Sequence, residues 1–156
     1  AEELPYVRSI SVIGHSQGGV VASMFAGEMG AQKVAKLVLL APAAVLREDA
    51  IRGNTMGATY DSLNPPEKVY IYGKYSIGRD YITTARTLRI YETAQNYTGP
   101  VCLIHGTGDV IVPYSYSERY ASVYKNAELH LLPGFDHMFS QNLRQAVDIA
   151  VAFITK

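Results

Sequence analysis

The chain has 156 residues, enough for one domain with a real core and too few for two of ordinary size. Its 14 Lys and Arg balance 14 Asp and Glu, so no net field exists to hold a polyanion, which argues against nucleic acid or an acidic membrane face as partner. With 48% hydrophobic and 18% charged residues the composition is that of a folded globular protein, and a single cysteine, Cys102, excludes an intrachain disulfide and a multi-cysteine zinc site.

Ser9 to Ile13 alternates small polar and β-branched residues and stops at Gly14, which predicts a short strand with a sharp exit. After Gly18 and Gly19, Val20, Val21, Met24, Phe25 and Met29 recur at helical spacing, and Gly30 stands as a helix stop. Lys36 to Leu40 is apolar after its lysine and ends before Pro42, as a strand covered on both faces would. From about Ala43 to Tyr97 the rhythm breaks. This stretch holds seven of the twelve tyrosines, a Pro65-Pro66 break and no long apolar face, so it reads as a lid inserted over the sheet. Regularity then resumes with strands at Val101 to Ile104 and Ala127 to Leu132, the second closed by Pro133-Gly134. Helices are expected at Ser115 to Tyr124 and Gln141 to Ile154, the latter with Leu143, Ala146, Val147, Ala150, Val151 and Ile154 on one face. Strands alternating with helices predict the α/β class, a mostly parallel sheet in a single domain with one lid insertion.

The chemistry concentrates at strand ends. Gly14-His15-Ser16-Gln17-Gly18 is a Gly-x-Ser-x-Gly sequence between a predicted strand and a predicted helix, where the glycines let the chain reverse tightly and leave Ser16 at the tip of the turn. A serine hydroxyl is a weak nucleophile and needs a histidine base with an acid to orient it. Asp109 lies in the Gly-rich turn after the third predicted strand and His137 in the loop after the fourth. In a parallel sheet those ends share one edge with the elbow, so Ser16, Asp109 and His137 are expected to converge. Asp136 is the rival acid, disfavoured because it would have to fold back on its own neighbour. His15 is expected to point to the far side of the turn, His105 to satisfy a strand end, and His130 to alternate within a strand without metal-ligand company. Cys102 reads as a small core residue.

These motifs resemble the α/β-hydrolase superfamily. The stretch Gly14 to Met24, with Ala41 to Leu46, Arg52 to Tyr60 and Val101 to Thr107, is similar to the bacterial cinnamoyl (feruloyl) esterases over nearly the whole chain. The resemblance implies a lid that binds the phenolic ring of the substrate, with Asp49 and Tyr81 hydrogen-bonding the ring hydroxyls and Met56 standing where the family commonly has a glutamine. It also implies that the Gln17 N–H is one donor of the oxyanion hole. Family members have several strands before the elbow, and an early loop among them supplies the second donor, so this sequence is expected to be the C-terminal part of the fold and, alone, a poor enzyme. Its first strand would then be an unblunted edge, and a homo-oligomer or pairing with a missing N-terminal segment is expected.

The reading that follows is a serine carboxylesterase acting on hydroxycinnamate esters through an acyl-enzyme, with a small aromatic ester as substrate and no metal or organic cofactor. A broad esterase or thioesterase with the same three residues, and a non-catalytic fragment, are the alternatives. No apolar run is long enough to cross a bilayer and no readable signal peptide opens the sequence, so the expected location is cytoplasmic.

Overall fold

In the computed structural model residues 6–156 are described. Along the chain the elements are β1 (Ser11–His15), α1 (Gln17–Met29), β2 (Lys36–Leu40), α2 (Val45–Arg52), β3 (Asn54–Thr55), β4 (Ala58–Thr59), β5 (Lys68–Ile71), β6 (Tyr75–Gly78), α3 (Arg79–Thr87), α4 (Ile90–Ala94), β7 (Val101–Gly106), α5 (Ser115–Val123), β8 (Ala127–Leu132) and α6 (Leu143–Thr155). They divide into two compact units, residues 6–43 with 90–156, and Ala44–Arg89.

The first unit is built on a parallel sheet in the order β1-β2-β7-β8. Leu39 stands between Gly14 on one side and Leu103 on the other, a register that aligns the C-terminal ends of the strands along one edge. The uninterrupted apolar runs explain the central strands: every residue of β7 is buried, and so are Leu37, Val38 and Leu39 of β2. On one face Val38, Cys102, Ile104 and Leu132 pack with Ala146, Ala150 and Phe153 of α6. The ammonium of Lys36 donates to the carbonyls of Phe153 (2.9 Å) and Ile154 (3.0 Å), two of the acceptors that a helix C-terminus leaves open.

Both long helices bury only part of the face their apolar residues predict. α1 turns its small residues inward, Gly19, Val20, Ala22, Ser23 and Ala26, and leaves Val21, Phe25 and Met29 exposed. Close approach selects small side chains there: a Cβ at Gly27 would run into the Thr93 carbonyl of α4. α6 buries Ala146, Ala150 and Phe153, while Leu143, Val147 and Val151 of the predicted face are exposed. Residues 90–97, assigned from sequence to the lid, belong to the first unit. There Ile90, Tyr91, Ala94 and Tyr97 are buried, and the Tyr97 hydroxyl donates to the Val34 carbonyl at 2.9 Å.

The second unit holds α2, α3 and two antiparallel hairpins, β3-β4 and β5-β6. Met56 and Gly57 form the two-residue tip of the first hairpin with φ of 50° and 83°, the doubly left-handed turn that matches strand twist. Arg86 donates to the Ser62 carbonyl at 2.6 Å and Arg79 to the Pro65 carbonyl at 2.8 Å, which ties the Pro65-Pro66 stretch to α3. Among the described residues no helix is long and apolar enough to cross a membrane.

Candidate active site

Ser16 occupies the single residue between β1 and α1 at φ 55°, a left-handed conformation that costs a non-glycine residue on the order of 1–3 kcal/mol. The turn is held by its own backbone. Ser16 N–H donates to Leu40 O at 2.9 Å, and Ser16 O accepts from Gly19 N–H at 3.0 Å and Ala43 N–H at 2.9 Å. A serine before a helix ordinarily caps it, but this side chain makes no cap hydrogen bond and turns to His137 instead. The glycines divide the work differently from the sequence expectation. A Cβ at Gly14 would collide with the Gly18 carbonyl and one at Gly19 would lie 2.9 Å from Pro42, whereas Gly18 has open space around it.

His137 follows the Pro133-Gly134 turn after β8 and is 7% exposed. Its Nδ1 lies 2.7 Å from Asp109 Oδ2 and its Nε2 lies 2.9 Å from Ser16 Oγ. A carboxylate can only accept, so Nδ1 carries the hydrogen and Nε2 offers its lone pair to the serine hydroxyl. The structure therefore brings Ser16, His137 and Asp109 into one hydrogen-bonded chain, all within the first unit. Asp136 faces its own loop: Oδ1 accepts from Met138 N–H at 3.0 Å and Ser140 N–H at 2.9 Å.

Asp109 is fully engaged. Oδ1 accepts from Ile111 N–H (2.9 Å) and Val112 N–H (2.8 Å), and Oδ2 accepts from His137 and from His105 Nε2 at 3.1 Å. Burial alone would raise its pKa, but the bonds from His105, His137 and the two backbone amides outweigh it and hold the carboxyl well below the usual carboxylate range. Gln17 opens α1, so its N–H sits at the positive end of a helix dipole beside the serine.

Three histidines differ from expectation. His15 does not face away: its Nε2 donates to the His137 carbonyl at 2.9 Å, and the two rings are 4.9 Å apart between centroids. His105 bonds the acid rather than merely closing a strand, and its position four residues before Asp109 is the signal that could have found it. His130 does have neighbours of metal-binding type, since donor atoms of Cys102, Glu128 and His130 lie within 4.8 Å of one another. Burial and the Glu128 carboxylate push the Cys102 thiol up to about 12, so it is a neutral S–H hydrogen-bonded to Glu128, which His130 approaches at 3.1 Å.

Of the residues assigned to the phenolic ring, Asp49 accepts from Arg52 at 2.7 Å and Tyr81 has its phenol raised by burial, then by Tyr60 and Asp49. Met56 is exposed at its hairpin tip. These three lie in the second unit.

Solved structures resemble this chain over almost its full length. Est1E from Butyrivibrio proteoclasticus superposes with a TM-score of 0.93 at 30% identity, covering 99% of this chain and 63% of that one. The chain has the α/β-hydrolase fold. Est1E with ferulic acid bound gives a TM-score of 0.92 at 30% identity, over 99% of this chain and 61% of that one. A monoacylglycerol lipase from Paleococcus ferrophilus, 18% identical, shares the α/β-hydrolase fold with a TM-score of 0.62 over 92% of this chain and 68% of its own. The chain thus spans less than two thirds of the length of Est1E. No family model and no curated protein sequence matches it.

Proposed function

We propose that the chain carries the reacting residues of a serine carboxylesterase that cleaves hydroxycinnamate esters. The observation that carries this reading is the hydrogen-bonded chain from Ser16 through His137 to Asp109, with the serine held out of its capping role on a strained turn. In the reaction Ser16 Oγ attacks the ester carbonyl as His137 Nε2 takes its proton, and the Gln17 N–H faces the developing oxyanion. The tetrahedral adduct collapses when His137 returns the proton to the leaving alcohol. Water then attacks the acyl-enzyme with His137 again as base, releasing the acid and restoring Ser16. Asp109 keeps the hydrogen on Nδ1 throughout.

The aromatic acyl group is supported by the likeness to Est1E, which has been solved with ferulic acid bound. This reading gives the ring to Asp49, Tyr81 and Met56. The 2.7 Å bond between Asp49 and Arg52 favours a second reading, a broad esterase or thioesterase in which one oxygen of that carboxylate, Oδ1, serves the arginine. Hydrolysis of methyl ferulate and of a short-chain acyl ester, with Ser16→Ala in parallel, separates them. Turnover that vanishes in the variant and prefers the ferulate supports the proposal. Equal rates on both esters favour the broad enzyme, and an inert, folded wild type leaves a non-catalytic fragment.

We further propose that β1 pairs with a further strand, either in a second copy of this chain or in a missing N-terminal segment. Among the described residues β1 is bonded only to β2, Ile13 in it is 52% exposed, and Val21 and Phe25 of α1 are exposed as well. In the first case sedimentation at micromolar concentration should give a dimer or larger species. A clean monomer would remove that case.

A further inference from the structure

The hydrogen-bonded array does not stop at Asp109. Its Oδ2 also accepts from His105 Nε2 at 3.1 Å, and the same N–H faces the Val112 carbonyl at 2.9 Å. Both partners of that nitrogen are acceptors, so Nε2 carries the hydrogen. Nδ1 of a neutral ring is then the acceptor, and the Ser117 hydroxyl, 2.6 Å away, donates to it. His105 and Ser117 are both fully buried, one near the end of β7 and the other in the first turn of α5. The β7 residues from Val101 to Ile104 are apolar or a buried thiol, and an aliphatic side chain at 105 would bring no polar group of its own into this buried place. The imidazole is instead satisfied at both nitrogens and aimed at the acid.

Resting on the hydrolase reading, we propose that His105, oriented by Ser117, is a positioning residue that fixes the Asp109 carboxylate and moderates its hold on the His137 Nδ1–H. Oδ2 divides its charge between two imidazole donors. Remove one, and the other meets a fuller charge, which stabilises protonated His137 and makes it lose its proton at higher pH. The carboxylate also loses one of the four donors that fix its plane, so the base is held less tightly. The other groups facing His137 are Ser16 and His15 across the rings; Asp136, next to it in the chain, turns its carboxylate to its own loop, and none of the three changes in the variants below.

The test compares His105→Leu, His105→Gln and Ser117→Ala, each checked for folding by circular dichroism. Kinetics on a short-chain acyl ester are read together with the downfield His137 Nδ1–H proton resonance. For His105→Leu, kcat should fall about tenfold, the worth of one hydrogen bond to a charged group, with KM within about twofold. The acid limb of kcat/KM should move to higher pH and the Nδ1–H resonance should move further downfield. The amide of His105→Gln reaches the Nε2 position and should return the limb, the resonance and most of kcat. Ser117→Ala, which frees the ring to change tautomer, should shift both readouts in the same direction by less.

A folded His105→Leu with the acid limb and resonance of the wild type overturns the proposal. So does a loss that Gln does not rescue. Should His105→Leu fail to fold, Ser117→Ala decides alone: a shifted resonance supports the proposal and an unmoved one overturns it. A wild type without Ser16-dependent turnover defeats the hydrolase reading instead, and the resonance, which needs no turnover, still decides the role of His105.

Discussion

Asp109→Asn should lower kcat by about 10⁴-fold while KM changes little, because the amide reverses the hydrogen that His137 must carry. Four N–H groups point at the carboxylate, two at each oxygen. An amide has only one oxygen to offer. If its oxygen stays with Ile111 and Val112, its NH₂ opposes His105 and His137, and His137 answers by accepting at Nδ1 and placing its hydrogen on Nε2. That nitrogen can then no longer take a proton from Ser16. If the amide flips, the clash moves to the two backbone donors and the loop itself is loosened, so stability should drop by about 1–3 kcal/mol at neutral pH. The deficit narrows in acid. A carboxyl whose pKa is depressed on folding stabilises the folded state above its unfolded value of about 3.9, and that contribution fades as pH falls toward the folded value. The variant has no such group, so its deficit measured by urea unfolding should be largest near pH 7 and shrink below pH 4. A deficit independent of pH would show that the four bonds do not act through charge.

The fold class and the convergence of three strand-end loops were legible because both rest on short-range signals. Apolar runs bounded by Gly and Pro mark buried strands, and a parallel sheet puts every strand's C-terminal loop at one edge, so Ser16, Asp109 and His137 could be paired without knowing any distance. What periodicity could not supply is which face of a helix is inward when the face is chosen by closeness rather than by hydrophobicity. α1 offers large apolar residues and buries small ones, because Gly27 must pass the Thr93 carbonyl and Gly19 must pass Pro42. The lid boundary failed for a related reason: Tyr91 and Tyr97 have the composition of the tyrosine-rich stretch but are core residues of the first unit. The roles of the histidines are not legible one residue at a time. His105 and His15 take their roles from Asp109 and the His137 carbonyl, and only the folded chain brings these within 3.1 Å and 2.9 Å.

Gly14→Ala should be among the most damaging methyls that can be added to this chain, and Gly18→Ala among the mildest. Both glycines belong to the motif that marks the nucleophile, so a reading from the motif alone gives them equal weight. A Cβ on Gly14 meets the Gly18 carbonyl carbon at 2.6 Å and Ala22 Cβ at 2.8 Å, inside any real contact distance, and the obstacle is the backbone of the first turn of α1, which cannot rotate away. Relief requires α1 to slide off β1, and the residue between them is Ser16. The expected cost is about 3 kcal/mol or more, and a serine displaced by about 1 Å should lose on the order of 10²-fold in rate even in molecules that remain folded. Gly18 lies within α1 with nothing in reach of a new methyl, so alanine there restricts the unfolded chain and should add about 0.5–1 kcal/mol of stability. Thermal unfolding of the two variants side by side should separate them by several degrees in opposite directions from the parent, about 2–4 °C per kcal/mol for a chain of this size. Equal destabilisation by both would mean that close approach at Gly14 is not what the turn depends on, since neither glycine has a positive φ. Steric closeness at Gly14 alone predicts that the two variants part.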